Sequence, residues 1–255
     1  MISSLATEGI RGILLDIEGT TTPIAFVHEV LFSYARSEVR NFLTEHFRSA
    51  ELVADLQQLR EEHATDVKQN LQPPALLEGP RDAEIDSLAA YVNWLIDRDR
   101  KSTGLKSLQG KIWKQGYVNG TLKAELFADV APALERWRQE GLHISIFSSG
   151  SSLAQKLLFA HTEAGDLTRF IDNYFDTTVG SKSDVGSYSR IASALHLAAQ
   201  QIIFISDVAS ELDAADSAGM RTLLSVRPGN QPQPFAERYR IIRDFDEIPF
   251  AQHFA

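Results

Sequence analysis

Two carboxylates stand two residues apart in Asp16-Ile17-Glu18-Gly19-Thr20, directly after the apolar run Ile13-Leu15 and ahead of a flexible glycine. A carboxylate so placed can attack phosphorus to give an acyl phosphate, dividing one difficult hydrolysis into two easier steps. A second acid beside it can protonate the departing oxygen and afterwards take a proton from water for the return step. Asp16 suits the first task and Glu18 the second. Three further polar clusters follow apolar runs: Ser148-Ser149-Gly150, then Lys182 within Gly180-Ser181-Lys182-Ser183-Asp184, and Ser206-Asp207 with Glu211. Taken singly they read as a loop acid, helix caps and a solvated lysine. Their coincidence reads differently, because acids gathered without a counter-charge raise one another's pKa. One Mg²⁺ per chain answers that need, since it takes oxygen ligands from one or two carboxylates and keeps several waters. Lys182, Ser148 and the amides around Ser149 and Gly150 at a helix start would then hold phosphate oxygens.

The elements that must position these groups show as five short apolar runs, each bounded by turn or polar residues: Ile13-Leu15, His143-Phe147, Asn173-Thr177, Ile202-Ile205 and Thr222-Val226. Such runs are the pattern of buried parallel strands. Helical segments lie between the later ones, at Ala131-Glu140, Ser152-His161, Tyr188-Ala199 and Ser210-Ala218. Strands alternating with helices predict an α/β fold with a doubly wound parallel sheet. In such a sheet ligands bind at the carboxyl ends of the strands, where all four clusters fall.

More than a hundred residues separate the first two runs, where one crossover helix would suffice. Within them Val27, Leu31, Tyr34 and Leu52, Leu56, Leu59 repeat at helical spacing, as do Leu88, Tyr91, Leu95 and Leu105, Leu108, Ile112. Residues 23–119 are therefore expected to form an inserted helical domain, with the core built from 1–22 and 120–255. Pro73, Pro74, Gly79 and Pro80 interrupt the insert with a loop, and Asn119-Gly120 marks the return.

A net charge of −9 excludes a basic field for nucleic acid or an anionic membrane, and no stretch is long and apolar enough to cross a bilayer. Without cysteine there are neither disulfides nor thiolate chemistry, and the N-terminal MISSLATEGIRG lacks the pattern of a secretory signal, so a cytoplasmic setting is expected. The seven histidines show no metal-binding spacing.

The four strand-end motifs, in this order and with a long insert after the first, resemble the haloacid dehalogenase superfamily of aspartyl-phosphate enzymes. Within it, DIEGTTTPIAFV, KAELFADV, IFSSGSSLAQKLLFAH and SVRPGN are similar to the enolase-phosphatase group of methionine salvage. Most phosphatases of the superfamily carry Asp where this chain has Glu18, and Glu there is what the enolase-phosphatase group shows. The resemblance implies Asp16 as nucleophile, Mg²⁺ among Asp16, Glu18 and Asp207, substrate held by Ser148, Ser149 and Lys182, and Glu211 orienting a metal-bound water. It also implies a Rossmann-like core with a helical cap closing over the site. The substrate it implies is a small phosphorylated diketone, 2,3-diketo-5-methylthiopentyl 1-phosphate, enolised and then dephosphorylated to the acireductone by a monomer. Two other readings share the core residues: a sugar-phosphate or phosphoglycolate phosphatase of the same superfamily, and a phospho-aspartate receiver-like binding module.

Overall fold

Strand β1 (Gly12–Leu15) is buried along its whole length, as a strand in the middle of a parallel sheet must be. The computed structural model describes residues 9–100 and 102–248. Its other strands are β2 (His143–Phe147), β3 (Asn173–Phe175), β4 (Ile202–Ser206), β5 (Arg221–Ser225) and β6 (Ile241–Ile242). They join in the order β3-β2-β1-β4-β5-β6, with every neighbouring pair parallel. Strand order therefore reverses at β1 and β4, and a switch of this kind opens a crevice at the carboxyl edge. Leu15 is level with Ile146 on one side and with Ile205 on the other. Asp16, Ser148 and Asp207 consequently leave the sheet at one edge, from three adjacent strands.

After β1 a π-helical turn, Phe26–Phe32, leads into α1 (Ser33–His46), α2 (Ala50–Lys68), α3 (Arg81–Ile96) and α4 (Thr103–Val118). Residues His28–Leu122 form one compact unit and the rest of the chain another. In the helical unit α1 packs on α3 and α4, and α2 packs on α4. Leu43, Leu59, Tyr91, Leu95, Leu108 and Ile112 are almost wholly buried there. Two acids share that interior, each with its partner. Asp66 accepts from Tyr91 Oη (2.8 Å) and Arg100 (2.6 Å), and Asp55 pairs with Lys111.

The core unit continues with α5 (Val130–Gln139), α6 (Ser152–Ala160), α7 (Val185–Leu195) and α8 (Ala209–Ser217). Leu14, Phe204 and Leu224 of the sheet form one buried cluster with Tyr188 and Ile191 of α7 and Leu212 and Ala215 of α8. Side chains alternate along a strand, and Ile13, Leu15, Ile203 and Ile205 are equally buried, so both faces of the sheet are covered. On β2 the cover includes α5, whose Trp137 packs on Phe245 with ring centroids 5.1 Å apart.

Three boundaries depart from the sequence expectation for identifiable reasons. β3 stops at Phe175 because Asp176 accepts from the backbone and hydroxyl of Thr178 (2.9 and 2.7 Å) and turns the chain. α7 begins before Tyr188 because Asp184 caps it through Gly186 N, and it stops at His196, whose φ of +54° is left-handed. β6 had not been anticipated, since two residues between Arg240 and Arg243 carry no periodicity to read. Phe204 is fully buried in the cluster, its ring centroid 5.1 Å from that of Tyr188. Phe204→Ala is expected to cost about 3–5 kcal/mol of stability, read as a lowered denaturant midpoint.

Candidate active site

Asp16 is 4% exposed, and its backbone N–H still belongs to the sheet, donating to Ile205 O (3.0 Å). The chain then folds back on itself. The N–H groups of Thr20, Thr21 and Thr22 all donate to Ile17 O (3.2, 2.9 and 2.9 Å), and Gly19 N donates to Thr22 O (2.8 Å). Gly19 takes a φ of +69°, a region that side chains disfavour. A Cβ there would also run into the Asp207 carboxylate. This tight turn fixes Asp16 at the strand end and leaves Glu18 half-buried at its rim.

Lys182 Nζ lies 2.6 Å from Asp16 Oδ1 and 2.6 Å from Glu211 Oε2. Burial alone would lower the pKa of this ammonium, but the two carboxylates outweigh it and push it up to about 12. Tyr188 Oη donates to Lys182 O (2.7 Å), which holds the lysine's loop against α7. Ser206 Oγ places its single proton on Glu211 Oε2 (2.8 Å) and lies 3.4 Å from Asp16 Oδ2, while Val208 N donates to that same Oγ (3.1 Å). Burial and the charge of Asp16 raise the pKa of Glu211, with Lys182 opposing.

On the other side of β1, Ser148 is buried, and Gly150 N donates to its Oγ (3.2 Å). Ser149 is half-buried beside it. The helix that follows is capped by Ser151, which accepts from Ala154 N (3.3 Å). Gln155 ties the loop down, its Nε2 donating to Gly150 O (2.9 Å) and Phe175 O (2.8 Å). A backbone turn at a helix start, with a buried hydroxyl, is suited to phosphate oxygens.

Lys182 thus touches both Asp16 and Glu211 directly. Asp207 joins them by charge, and Ser148 and Ser149 by the register of β1 with β2. Sequence reasoning gave no role to Ser206, Gln155, Tyr188 or the residues of SVRPGN that hold the Asp16 turn. Ser225 Oγ and Asn230 Nδ2 both donate to Gly19 O (3.3 and 2.9 Å), and Arg227 Nε donates to Thr20 O (3.2 Å). Arg227 also forms a fork with Asp129 (2.9 and 2.7 Å) and lies 4.7 Å from the centroids of Phe127 and Phe245. The motif was visible in the sequence, but its contacts span some two hundred positions and follow from no local pattern.

The residues present fit a hard divalent cation. Asp207 is 7% exposed, and among the described residues no ion pair or side-chain hydrogen bond reaches its carboxylate. Burial and then the charge of Asp16 push its pKa up to about 7. Three acids with a single lysine leave uncompensated negative charge at one edge of the sheet. Among the described residues no three acidic or histidine side chains converge into a cage. Two carboxylates completed by a carbonyl and water are the kind of ligand set that Mg²⁺ accepts.

Residues 10–219 match the family model of haloacid dehalogenase-like hydrolases. Over 94% of its length the chain is 52% identical to an enolase-phosphatase E1 of Synechococcus elongatus, covering 98% of that protein. The chain belongs to the enolase-phosphatase family. An enolase-phosphatase E1 of Drosophila melanogaster is 45% identical over 92% of this chain and 91% of its own. The solved structure of the UTR4 protein of Saccharomyces cerevisiae superposes with a TM-score of 0.75 at 33% identity, covering 93% of this chain and 99% of that one. As an enolase-phosphatase, the chain is a phosphatase built on the haloacid dehalogenase fold.

Asp207→Asn removes a buried charge that has no ion-pair partner. In chelator the variant is expected to melt higher than the unsubstituted protein, by about 2–4 °C for each kcal/mol recovered. Added Mg²⁺ is expected to raise the melting temperature of the unsubstituted protein and to leave the variant's unmoved.

Proposed function

We propose that this enolase-phosphatase converts 2,3-diketo-5-methylthiopentyl 1-phosphate to the acireductone 1,2-dihydroxy-3-keto-5-methylthiopentene, by enolisation and then hydrolysis through a phosphorylated Asp16. The observation that carries the reading is the joining of Asp16, Lys182 and Glu211 at the sheet's switch point, in a chain 52% identical to an enolase-phosphatase. The cytoplasm is the setting, in keeping with a chain that has no cysteine. The working unit in this reading is a monomer.

Asp16, Asp207 and the loop at Glu18 would hold one Mg²⁺. When bound, the ion supplies positive charge that polarises a ketone oxygen and neutralises phosphate. Lys182 fixes the Asp16 carboxylate through Oδ1, leaving Oδ2, at 3.4 Å from Ser206 Oγ, the less committed oxygen. An Asp16 oxygen forms a bond to phosphorus while the bond from phosphorus to the substrate's C1 oxygen breaks, and Glu18 gives its proton to that oxygen. Water then attacks the phosphorus of the acyl phosphate, Glu18 takes up the water's proton, and the bond to Asp16 breaks to release inorganic phosphate. Ser148, the Ser149 and Gly150 amides and Lys182 bind the phosphoryl oxygens as charge moves across them.

Asp16→Asn is expected to lower phosphate release by about 10³-fold or more with an unchanged circular-dichroism spectrum, because a carboxamide is a poor nucleophile. Substantial turnover by that variant would falsify the assignment. Lys182→Ala is expected to lower kcat/KM by about 10²–10³-fold. With that variant in heavy water, proton NMR of the diketone phosphate should show solvent deuterium entering the enolisable position faster than phosphate is released. Deuterium entry at the background rate, with simple sugar phosphates preferred by the unsubstituted protein, would reject the enolisation half alone.

A further inference from the structure

Asn230 closes the SVRPGN segment, and its carboxamide faces two different environments. Nδ2 donates to Gly19 O (2.9 Å) and to Ser225 O (3.2 Å). Because both partners are carbonyls, they can only accept, and this fixes which end of the amide is nitrogen. Oδ1 must then point away from them. There it is buried with no hydrogen-bond partner. A buried carbonyl oxygen left unpaired costs stability unless something donates to it, so an orphan of this kind calls for an explanation.

Its position supplies one. A Cβ built on Gly19 would lie 2.8 Å from Asn230 Oδ1 and would collide with Asp207 Oδ2, so the two oxygens border the same small space beside Gly19. Neither can donate to the other while Asp207 is ionised, and Gly19 itself brings no side chain between them. A neutral acceptor next to a buried carboxylate is badly placed for a bare anion site. It is well placed for a water whose protons are made acidic by a cation bound to that carboxylate.

We propose that Asn230 Oδ1 accepts a hydrogen bond from a water in the hydration shell of the cation held at Asp16 and Asp207, which makes Asn230 a positioning residue for the metal site. The inference rests on the reading of that site as a divalent-cation site. Nδ2 anchors the turn that carries Asp16, and Oδ1 orients the hydration shell, so a single side chain ties the geometry of the nucleophile's loop to that of the ion. Gly19 gains a second role, since any side chain there would fill the space the two oxygens share.

The test is Mn²⁺ binding to substrate-free protein, followed by loss of the free Mn²⁺ signal in electron paramagnetic resonance. Asn230→Ser keeps a small polar residue in the turn but cannot reach the shell, and its Kd should rise about tenfold, in line with other partners of metal ligands. Asn230→Asp keeps an acceptor oxygen and loses the donor to Gly19 O, so its Kd should stay at or below that of the unsubstituted protein. Equal Kd for Asn230→Ser and the unsubstituted protein overturns the proposal, and so does equal weakening by both variants, which would mean that only the grip on Gly19 matters. Should Asn230→Asp fail to fold against the two carbonyls, the Asn230→Ser comparison decides alone. No Mn²⁺ binding by the unsubstituted protein would instead remove the cation reading on which the proposal stands.

Discussion

Lys182 Nζ is shared between Asp16 and Glu211 at 2.6 Å each, inside a site where its own side chain is only 10% exposed. A buried ammonium next to one carboxylate recovers part of its lost hydration, and next to two it is held firmly in its charged form. The same arrangement uses up the lysine. Asp207, one strand over and also buried, has no such partner, and burial with the charge of Asp16 pushes its pKa up to about 7. Tyr188 fixes the lysine's backbone, Ser206 donates to Glu211, and α7 and α8 pack beneath them through a hydrophobic cluster.

A carboxylate that must attack and then be released has to keep its position while its charge changes. The turn after β1 achieves this through backbone carbonyls. Ile17 O collects three N–H groups, and Gly19 O and Thr20 O are held from the opposite end of the chain by Ser225, Asn230 and Arg227. Arg227 is pinned in turn by the Asp129 fork, and Phe245 N donates to the same carboxylate (2.7 Å). Neutral carbonyls and a paired guanidinium do not respond to protonation at Asp16. The clamps on the turn are therefore independent of the charge that Asp16 carries.

The strand-end logic made much of this legible in advance. Apolar runs ending in Asp16, Ser148 and Ser206 could be placed at one edge of a parallel sheet because strand direction and side-chain period leave few alternatives. Lys182 was visible for the same reason, although its loop is irregular. What stayed hidden has a common physical character. β6 is too short to show a period, the early start of α7 depends on one cap at Asp184, and the clamps from Ser225, Arg227, Asn230 and Gln155 act on main-chain oxygens. A carbonyl looks the same at every position of a sequence, so a side chain that recognises one leaves no complementary residue type to be read.

Placing the helical unit between β1 and β2 sets the order in which the molecule can become ordered during synthesis. β1 leaves the ribosome before every other strand of its sheet, yet its neighbours are residues 143–147 on one side and 202–206 on the other. The helices of His28–Leu122 pack on one another as a compact unit and can fold locally while the strand that precedes them waits unpaired. Asp16 is thus made well before the strands that flank it, and its place at the sheet edge is set only once residues 202–206 have followed. Until then GILL is an apolar segment with open edges, bounded by Arg11 on one side and Asp16 on the other. Those two charges flank the apolar segment where gatekeepers against intermolecular strand pairing are needed in a nascent chain.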